Sequence, residues 1–263
     1  MSIIKKLKKI KDALAALVFV PKCASCLSVL PAESDALCKK CKEIYELESK
    51  YSCHVCGRAH KMCVCKIQCE GRNYPFVHIT AYDINRNSVS KSIILNIKET
   101  NFAGAFDFLA ENMYSALIER YPTLLGSARV YITYVPRSEK ARKRAGHDQS
   151  YQIAKRISEL SSAPVIKIFE NHSKKQQKKL NAAQRRENAK SNYTLSNEPI
   201  DLNQTVLIIV DDIVTTGASI GACADLAKKV GAKAVIGLVC ARAESKKSQT
   251  ENKYIILGDE NYA

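Results

Sequence analysis

No stretch of the 263-residue chain reaches the about 18 consecutive apolar residues needed to span a bilayer. A transmembrane segment is therefore not expected. Tryptophan is absent and aromatic residues make up 7% of the chain, so there is no dense platform for stacking bases. No helix-turn-helix signature occurs, and no segment reads as a helix placed to enter a DNA groove. Acidic side chains are few beside basic ones, 26 against 41, for a formal net charge of +15. That surplus favours anionic partners: nucleic acid, phosphorylated metabolites or an anionic membrane surface. General solubility is the plainer use of the same charge. Cysteine is scarce outside one region, because nine of the eleven lie between Cys23 and Cys69. Such clustering inside a larger chain points to a metal or a disulfide module. The nucleotide-type site read below argues for a reducing compartment, and so for metal.

The cysteines come in two sets. Cys23-x2-Cys26, eleven residues, then Cys38-x2-Cys41 is the spacing of a four-thiolate zinc site. Each pair makes a tight knuckle, and the metal supplies folding energy that so small a core lacks. The second set holds Cys53, Cys56, Cys63, Cys65 and Cys69. Cys53-x2-Cys56 repeats the knuckle, and Cys65 and Cys69 are the expected partners because they sit nearest the next segment. Cys63 is the alternative, and His54 and His60 are further candidates. One or two zinc ions are thus expected. Ahead of them, Ile3, Leu7, Ile10 and Leu14 recur at helical spacing among lysines. They read as a basic amphipathic helix, with a processed secretory signal as the lesser reading.

The most informative stretch is Val206 to Gly221, VLIIVDDIVTTGASIG. Val206 to Val210 form an unbroken apolar run, as in a parallel strand buried on both faces. Asp211 and Asp212 stand at its carboxyl end, followed by Thr215, Thr216, Gly217 and Ser219. A helical pattern then begins. Strand, acidic turn, hydroxyl-glycine loop and helix make a phosphate cradle, because helix-start amides and small side chains approach an anion closely. The aspartates would repel a phosphate, so they suit the vicinal hydroxyls of a sugar instead.

Around this stretch, residues 74–85 alternate as a strand or hairpin, and two helical patterns precede a break at Gly126 and Ser127. RVYITYV reads as a second buried strand. A basic loop with Arg137, Lys140, Arg142, Lys143 and Arg144 follows it and leads into a helix. At the carboxyl end of a parallel strand, that loop suits pyrophosphate. PVIKIF reads as a third strand. The next 21 residues are polar, basic and poor in apolar anchors, as suits a mobile lid. A short strand near Tyr193, the acidic strand with its helix, and a last strand AVIGLVCA complete the chain.

The Val206–Gly221 stretch resembles the ribose-5-phosphate signature of type I phosphoribosyltransferases. The resemblance implies that Asp211 and Asp212 hold the 2′- and 3′-hydroxyls of phosphoribosyl pyrophosphate. It places the 5′-phosphate on Thr215, Thr216, Gly217 and Ser219. RAGHDQS is similar to the R-G-F-N-Q segment of the ComF family. QKKLNAAQRREN is similar to that family's Q-x-x-L-x-x-x-x-R-x-x-N lid, which places Gln177, Leu180, Arg185 and Asn188. The paired knuckles resemble its double zinc ribbon. Ala145 and His147 depart from the pattern, standing where arginine and phenylalanine are usual, and the second cysteine set is irregular.

The resemblance implies an α/β type I phosphoribosyltransferase fold, a parallel sheet flanked by helices, behind an N-terminal double zinc ribbon. Expected boundaries are a basic helix at 1–22, the ribbon at 23–72, a helical transition at 73–128, the transferase domain at 129–245 and a tail at 246–263. Mg2+ is expected with the ligand. Asp211, Asp212 and Arg185 are expected to carry catalysis, and Arg137, Arg144 and Gln177 to contact phosphates. The family further implies a cytoplasmic protein, at the inner face of the membrane, linked to uptake of transforming single-stranded DNA, with a helicase as partner. No general base for an acceptor is evident after Thr216. A non-catalytic zinc-ribbon adaptor that keeps the pocket as a sensor is the alternative.

Overall fold

The computed structural model describes residues 20–31, 35–53, 55–69, 72–83, 88–100, 102–173, 191–197 and 200–244. The expected N-terminal helix and the 174–190 stretch, with Gln177, Lys178, Lys179, Leu180, Arg185 and Asn188, lie outside these residues. In chain order the helices are α1 (Lys39–Lys50), α2 (Val89–Glu99), α3 (Ala103–Arg120), α4 (Leu124–Ser127), α5 (Glu139–Ala145), α6 (Gln149–Ser161) and α7 (Ala218–Lys229). The strands are β1 (Lys66–Cys69), β2 (Arg72–Asp83), β3 (Arg129–Tyr134), β4 (Phe169–Asn171), β5 (Tyr193–Leu195), β6 (Thr205–Val214) and β7 (Ala234–Glu244).

The central sheet has the order β1-β2-β7-β6-β3. The β2–β7, β7–β6 and β6–β3 pairs are parallel, and β1 closes one edge as the antiparallel arm of a hairpin with β2. The apolar run of β6 serves both faces. Ile208 and Val210 join a core with Ile93 and Ile97 of α2, Phe106, Leu109 and Met113 of α3, and Ile153 and Ile157 of α6. Leu207 and Ile209 join the other, with Ile220, Cys223, Ala224 and Ala227 of α7. Period-two alternation against helices on both sides explains why Val206 to Val210 are all apolar. Cys23, Ala24, Leu30, Leu37, Cys41 and Tyr45 share the first of these cores, so the N-terminal cysteine module packs directly on the sheet-helix body.

Several elements differ from expectation. PVIKIF does not add a strand to the central sheet. It makes one parallel bridge, Ile132 to Val165, then leaves to form β4, which pairs antiparallel with β5 in a separate two-stranded sheet. The basic stretch after β3 is not all loop. Ser138 caps it, its hydroxyl accepting from Ala141 N, and Gly146 ends it at φ 74°, so α5 forms between them. Gly126 and Ser127 do not break the chain but end the short α4. β6 runs through both aspartates to Val214 instead of stopping before them.

Candidate functional site

β6 delivers Asp211 and Asp212 to the carboxyl end of the sheet, where open parallel sheets bind ligands. The turn after it carries Thr215 and Thr216, and Gly217 takes φ +76° as the cap of α7. That glycine is required twice over. A left-handed backbone disfavours any side chain, and a Cβ there would sit 2.1 Å from Ile67 Cγ2 of β1. Gly221, one turn on, lies close to Cys69, whose Cβ would be 2.5 Å from an added methyl.

These contacts give a prediction. Gly217→Ala should cost about 2–5 kcal/mol in urea unfolding, about 1–2 from the backbone and the rest from crowding Ile67. Gly146→Ala has a similar φ of +74° but open space around it, and should cost only the backbone part. Equal losses in the two variants would show that the loop is not wedged against β1.

A cavity of about 400 Å³ opens beside the loop. Its wall includes Lys98, Arg137, Gln149, Ser150, Asn171 and Tyr193 around Asp211, Asp212, Thr215 and Ser219. Thr216 and Gly217 belong to the same turn but are not among the lining residues. The two aspartates are held differently. The Ser150 hydroxyl donates to Asp211 Oδ1 at 3.1 Å, and so does the Asp212 amide at 2.9 Å. Burial, then the charge of Asp212, push the Asp211 carboxyl well above its ordinary range. Burial opposes a charge on Asp212 too. There, however, the Lys98 ammonium at 3.1 Å, the Gln149 amide at 2.9 Å and the Arg137 charge outweigh it and hold the carboxyl below its usual range. The two carboxyls are thus pushed apart, with Asp212 the one that holds its charge more readily.

Arg137 faces the aspartates from the turn after β3. Its backbone amide donates to Asp148 Oδ2 at 2.9 Å, while Asp148 caps α6. Two buried polar atoms of the wall, Arg137 Nη1 and Gln149 Oε1, have no hydrogen-bond partner among the described residues. An unpaired guanidinium nitrogen fits an anion, and an unpaired amide oxygen fits a hydroxyl. Tyr193 and Asn171 face each other across the β4–β5 ladder and both line the cavity. Burial pushes the Tyr193 phenol upward, and a hydrogen bond with Ser219 works against that rise.

Of the phosphate contacts expected from sequence, Arg137 lines the cavity, whereas Arg144 is exposed on α5 and is not in the wall. His147 is buried and turned away. Its ring nitrogens face the carbonyl oxygens of Ala145 at 2.9 Å and Ile97 at 2.8 Å, so it braces α2 against this turn. Lys98, Gln149, Ser150, Asn171 and Tyr193 carried no assignment from the sequence. Gln149 and Ser150 lie within the RAGHDQS segment. Lys98 comes from α2, with nothing in its local pattern to mark it.

The cysteines form two groups of four. Cys23, Cys26, Cys38 and Cys41 make the first, and Cys53, Cys56, Cys63 and Cys65 the second, with all four ligand atoms of each group within 4.8 Å of one another. None is disulfide-bonded. Sulfur separations of 3.8 Å for Cys26–Cys38 and Cys53–Cys65 and 3.6 Å for Cys56–Cys63 fit a tetrahedron, since thiolates about 2.3 Å from zinc stand about 3.8 Å apart. Both groups therefore suit structural zinc. The second corrects the expected ligand set, because Cys63 takes the place given to Cys69. Strand alternation is the cause. Ile67 and Cys69 point from β1 to the same side, where they meet Gly217 and Gly221 of the phosphate loop and α7.

In sequence, residues 118–261 match the phosphoribosyl transferase domain family. No curated protein matches the chain. Among solved structures the chain is similar to a purine phosphoribosyltransferase from Pyrococcus horikoshii Ot3, with 20% identity over 51% of this chain and 74% of that one at a TM-score of 0.32. It is also similar to a hypoxanthine phosphoribosyltransferase from Staphylococcus aureus, with 7% identity over 57% of this chain and 71% of that one at a TM-score of 0.33. No described helix is long and apolar enough to cross a membrane. Because the sequence match spans more than half of the residues, and takes in the strand, loop and helix that build the cavity, the chain belongs to the phosphoribosyl transferase domain family.

Proposed function

We propose that the chain binds phosphoribosyl pyrophosphate with Mg2+ in this cavity and transfers its ribose 5-phosphate to an acceptor. The observation that carries this reading is the cavity between the acidic pair and the glycine-opened loop, with Arg137 Nη1 unpaired in its wall. Asp211 and Asp212 accept from the ribose hydroxyls. Thr215, Thr216, the Gly217 turn and Ser219 receive the 5′-phosphate. Arg137 takes the pyrophosphate, where positive charge stabilises the leaving group. Mg2+, when bound, neutralises the pyrophosphate, and the acidic pair is the donor set that would help hold it. Arg185 and Gln177 are assigned to the leaving group on resemblance alone. Two four-cysteine groups ahead of such a domain, with a net charge of +15, support a ComF-like protein that handles transforming single-stranded DNA. A helicase partner follows from the family resemblance only.

A second reading has its own support. Arg144 is outside the cavity and Ala145 stands where arginine is usual, so the turn after β3 offers the pocket fewer cations than the family pattern implies. That favours an adaptor which keeps the pocket as a sensor. Labelled phosphoribosyl pyrophosphate separates the two readings. Pyrophosphate release with turnover supports the enzyme, and binding without release supports the adaptor. Absence of Mg2+-dependent binding defeats both. Single-stranded DNA binding, followed by fluorescence anisotropy, should weaken steeply with salt and shift when phosphoribosyl pyrophosphate and Mg2+ are added. No binding at low salt removes the DNA role.

A further inference from the structure

Every lining residue of the cavity except Lys98 falls inside the matched range 118–261. Lys98 is carried by α2, and α2 is gripped at both ends by the first cysteine module. At its start, the Glu48 carboxylate of α1 accepts from the amides of Val89 and Ser90, each at 2.9 Å, and from the Ser90 hydroxyl at 2.5 Å. In its last turn, the Asn96 amide donates to the carbonyls of Ala24 at 2.7 Å and Ser25 at 2.9 Å. Those two residues are the interior of the Cys23–Cys26 knuckle. Two residues beyond Asn96, Lys98 reaches Asp212. A short path therefore runs from the first four-cysteine group to the acidic pair: knuckle carbonyls, Asn96, about half a helical turn, Lys98, Asp212.

We propose that Asn96 is a positioning residue for the pocket. By reading the shape of the Cys23–Cys26 knuckle, it sets where Lys98 meets Asp212, and so links metal in the first cysteine group to ligand at the acidic pair. The inference rests on the reading that the pocket takes phosphoribosyl pyrophosphate. A knuckle closed on metal holds both carbonyls where one amide group reaches them. Released, it removes that tie and leaves the last turn of α2 held by Ile97 in the core and by His147 on the Ile97 carbonyl. The ammonium then loses its register on Asp212, and the carboxylate that accepts from the sugar is less well held. Linkage is reciprocal for equilibrium binding, so ligand in the pocket must tighten metal in the knuckle by the same factor.

The groups facing Asp212 are Lys98 from α2, Gln149 from α6, Arg137 from the turn after β3, Asp211 beside it on β6, and the Cys240 thiol from β7. Only Lys98 among them depends on Asn96. Asn96→Asp keeps the size of the side chain but turns its donor into an acceptor aimed at two carbonyls. In the zinc-loaded full-length protein this variant should bind phosphoribosyl pyrophosphate with Mg2+ about five- to tenfold more weakly by calorimetry. A merely structural substitution would weaken binding and leave ligand and zinc still coupled.

Zinc affinity, read by competition with a chromophoric chelator, supplies a test that needs no variant. Saturating phosphoribosyl pyrophosphate with Mg2+ should raise the affinity of one zinc site in the wild type about fivefold or more, and this rise should vanish in Asn96→Asp. Ligand binding with zinc affinity unchanged in the wild type overturns the linkage and leaves the functional reading standing. A folded Asn96→Asp protein that binds with wild-type affinity and keeps the zinc coupling overturns the positioning role. A wild type that does not bind the ligand overturns both.

Discussion

Asp211→Asn combined with Asp212→Asn is expected to lower affinity for phosphoribosyl pyrophosphate with Mg2+ by at least about a hundredfold, measured by calorimetry. Each carboxylate offers a charge-assisted hydrogen bond to a hydroxyl, and each such bond is worth about 1.5–3 kcal/mol. The folded state should survive, because the two substitutions act on stability in opposite directions. Asp212 is held below its ordinary range, so in the wild type it contributes stability above the unfolded carboxylate pKa. That contribution disappears as pH falls through its lowered value. Asp212→Asn should therefore be less stable than wild type at neutral pH, with the gap closing in acid. Asp211 is raised by burial and by its neighbour, so its proton is bound more tightly when folded. The wild type loses stability as pH climbs from the unfolded value through the raised one. Asp211→Asn removes that loss while its amide oxygen still accepts from Ser150 and from the Asp212 amide. It should be at least as stable as wild type at neutral pH. Thermal melts of the single variants at two pH values check both signs. A folded double variant that binds as tightly as wild type would place the sugar site elsewhere.

How much of this site was legible in the sequence follows from how local its chemistry is. The β6 run, the acidic pair and the Gly217 turn lie within a few residues of one another. Backbone sterics and anion binding both constrain that stretch, so pattern alone located it. α5 was also within reach, since Ser138 and Gly146 are ordinary start and stop signals around a basic run that read as loop. Lys98 was not. Its partner is Asp212, across a crossover between distant elements, and its own segment reads as a lysine at the end of an amphipathic helix. The placement of PVIKIF was hidden for a related reason. A short apolar run states that it is buried, not which sheet it joins, and the pairing of Phe169 to Asn171 with Tyr193 to Leu195 decides it.

The second cysteine group is where sequence and structure part most plainly, and it carries the other large expected effect. Cys63→Ser should reduce bound zinc from two to one per chain by elemental analysis, because its sulfur lies 3.6 Å from Cys56 inside the four-thiolate group. Zinc bound by such small modules contributes about 10–16 kcal/mol to their folding, so losing one ligand removes most of what holds residues 53–65 together. That segment leads directly into β1, and β1 packs Ile67 on Gly217. Loss of the metal should therefore also loosen the phosphate loop, seen as faster proteolysis and weaker ligand binding in the same protein. Cys69→Ser is the informative control. Its thiol is 2% exposed, packed on Gly221 and outside the group. The serine should keep two zinc ions and cost about 1–3 kcal/mol for burying a hydroxyl in place of the thiol. The reverse outcome, zinc lost with Cys69→Ser and kept with Cys63→Ser, would require β1 to turn its alternate face toward the metal. That register slip would move Ile67 off the glycine loop as well, so the metal count and ligand affinity of this pair of variants test the strand's orientation together.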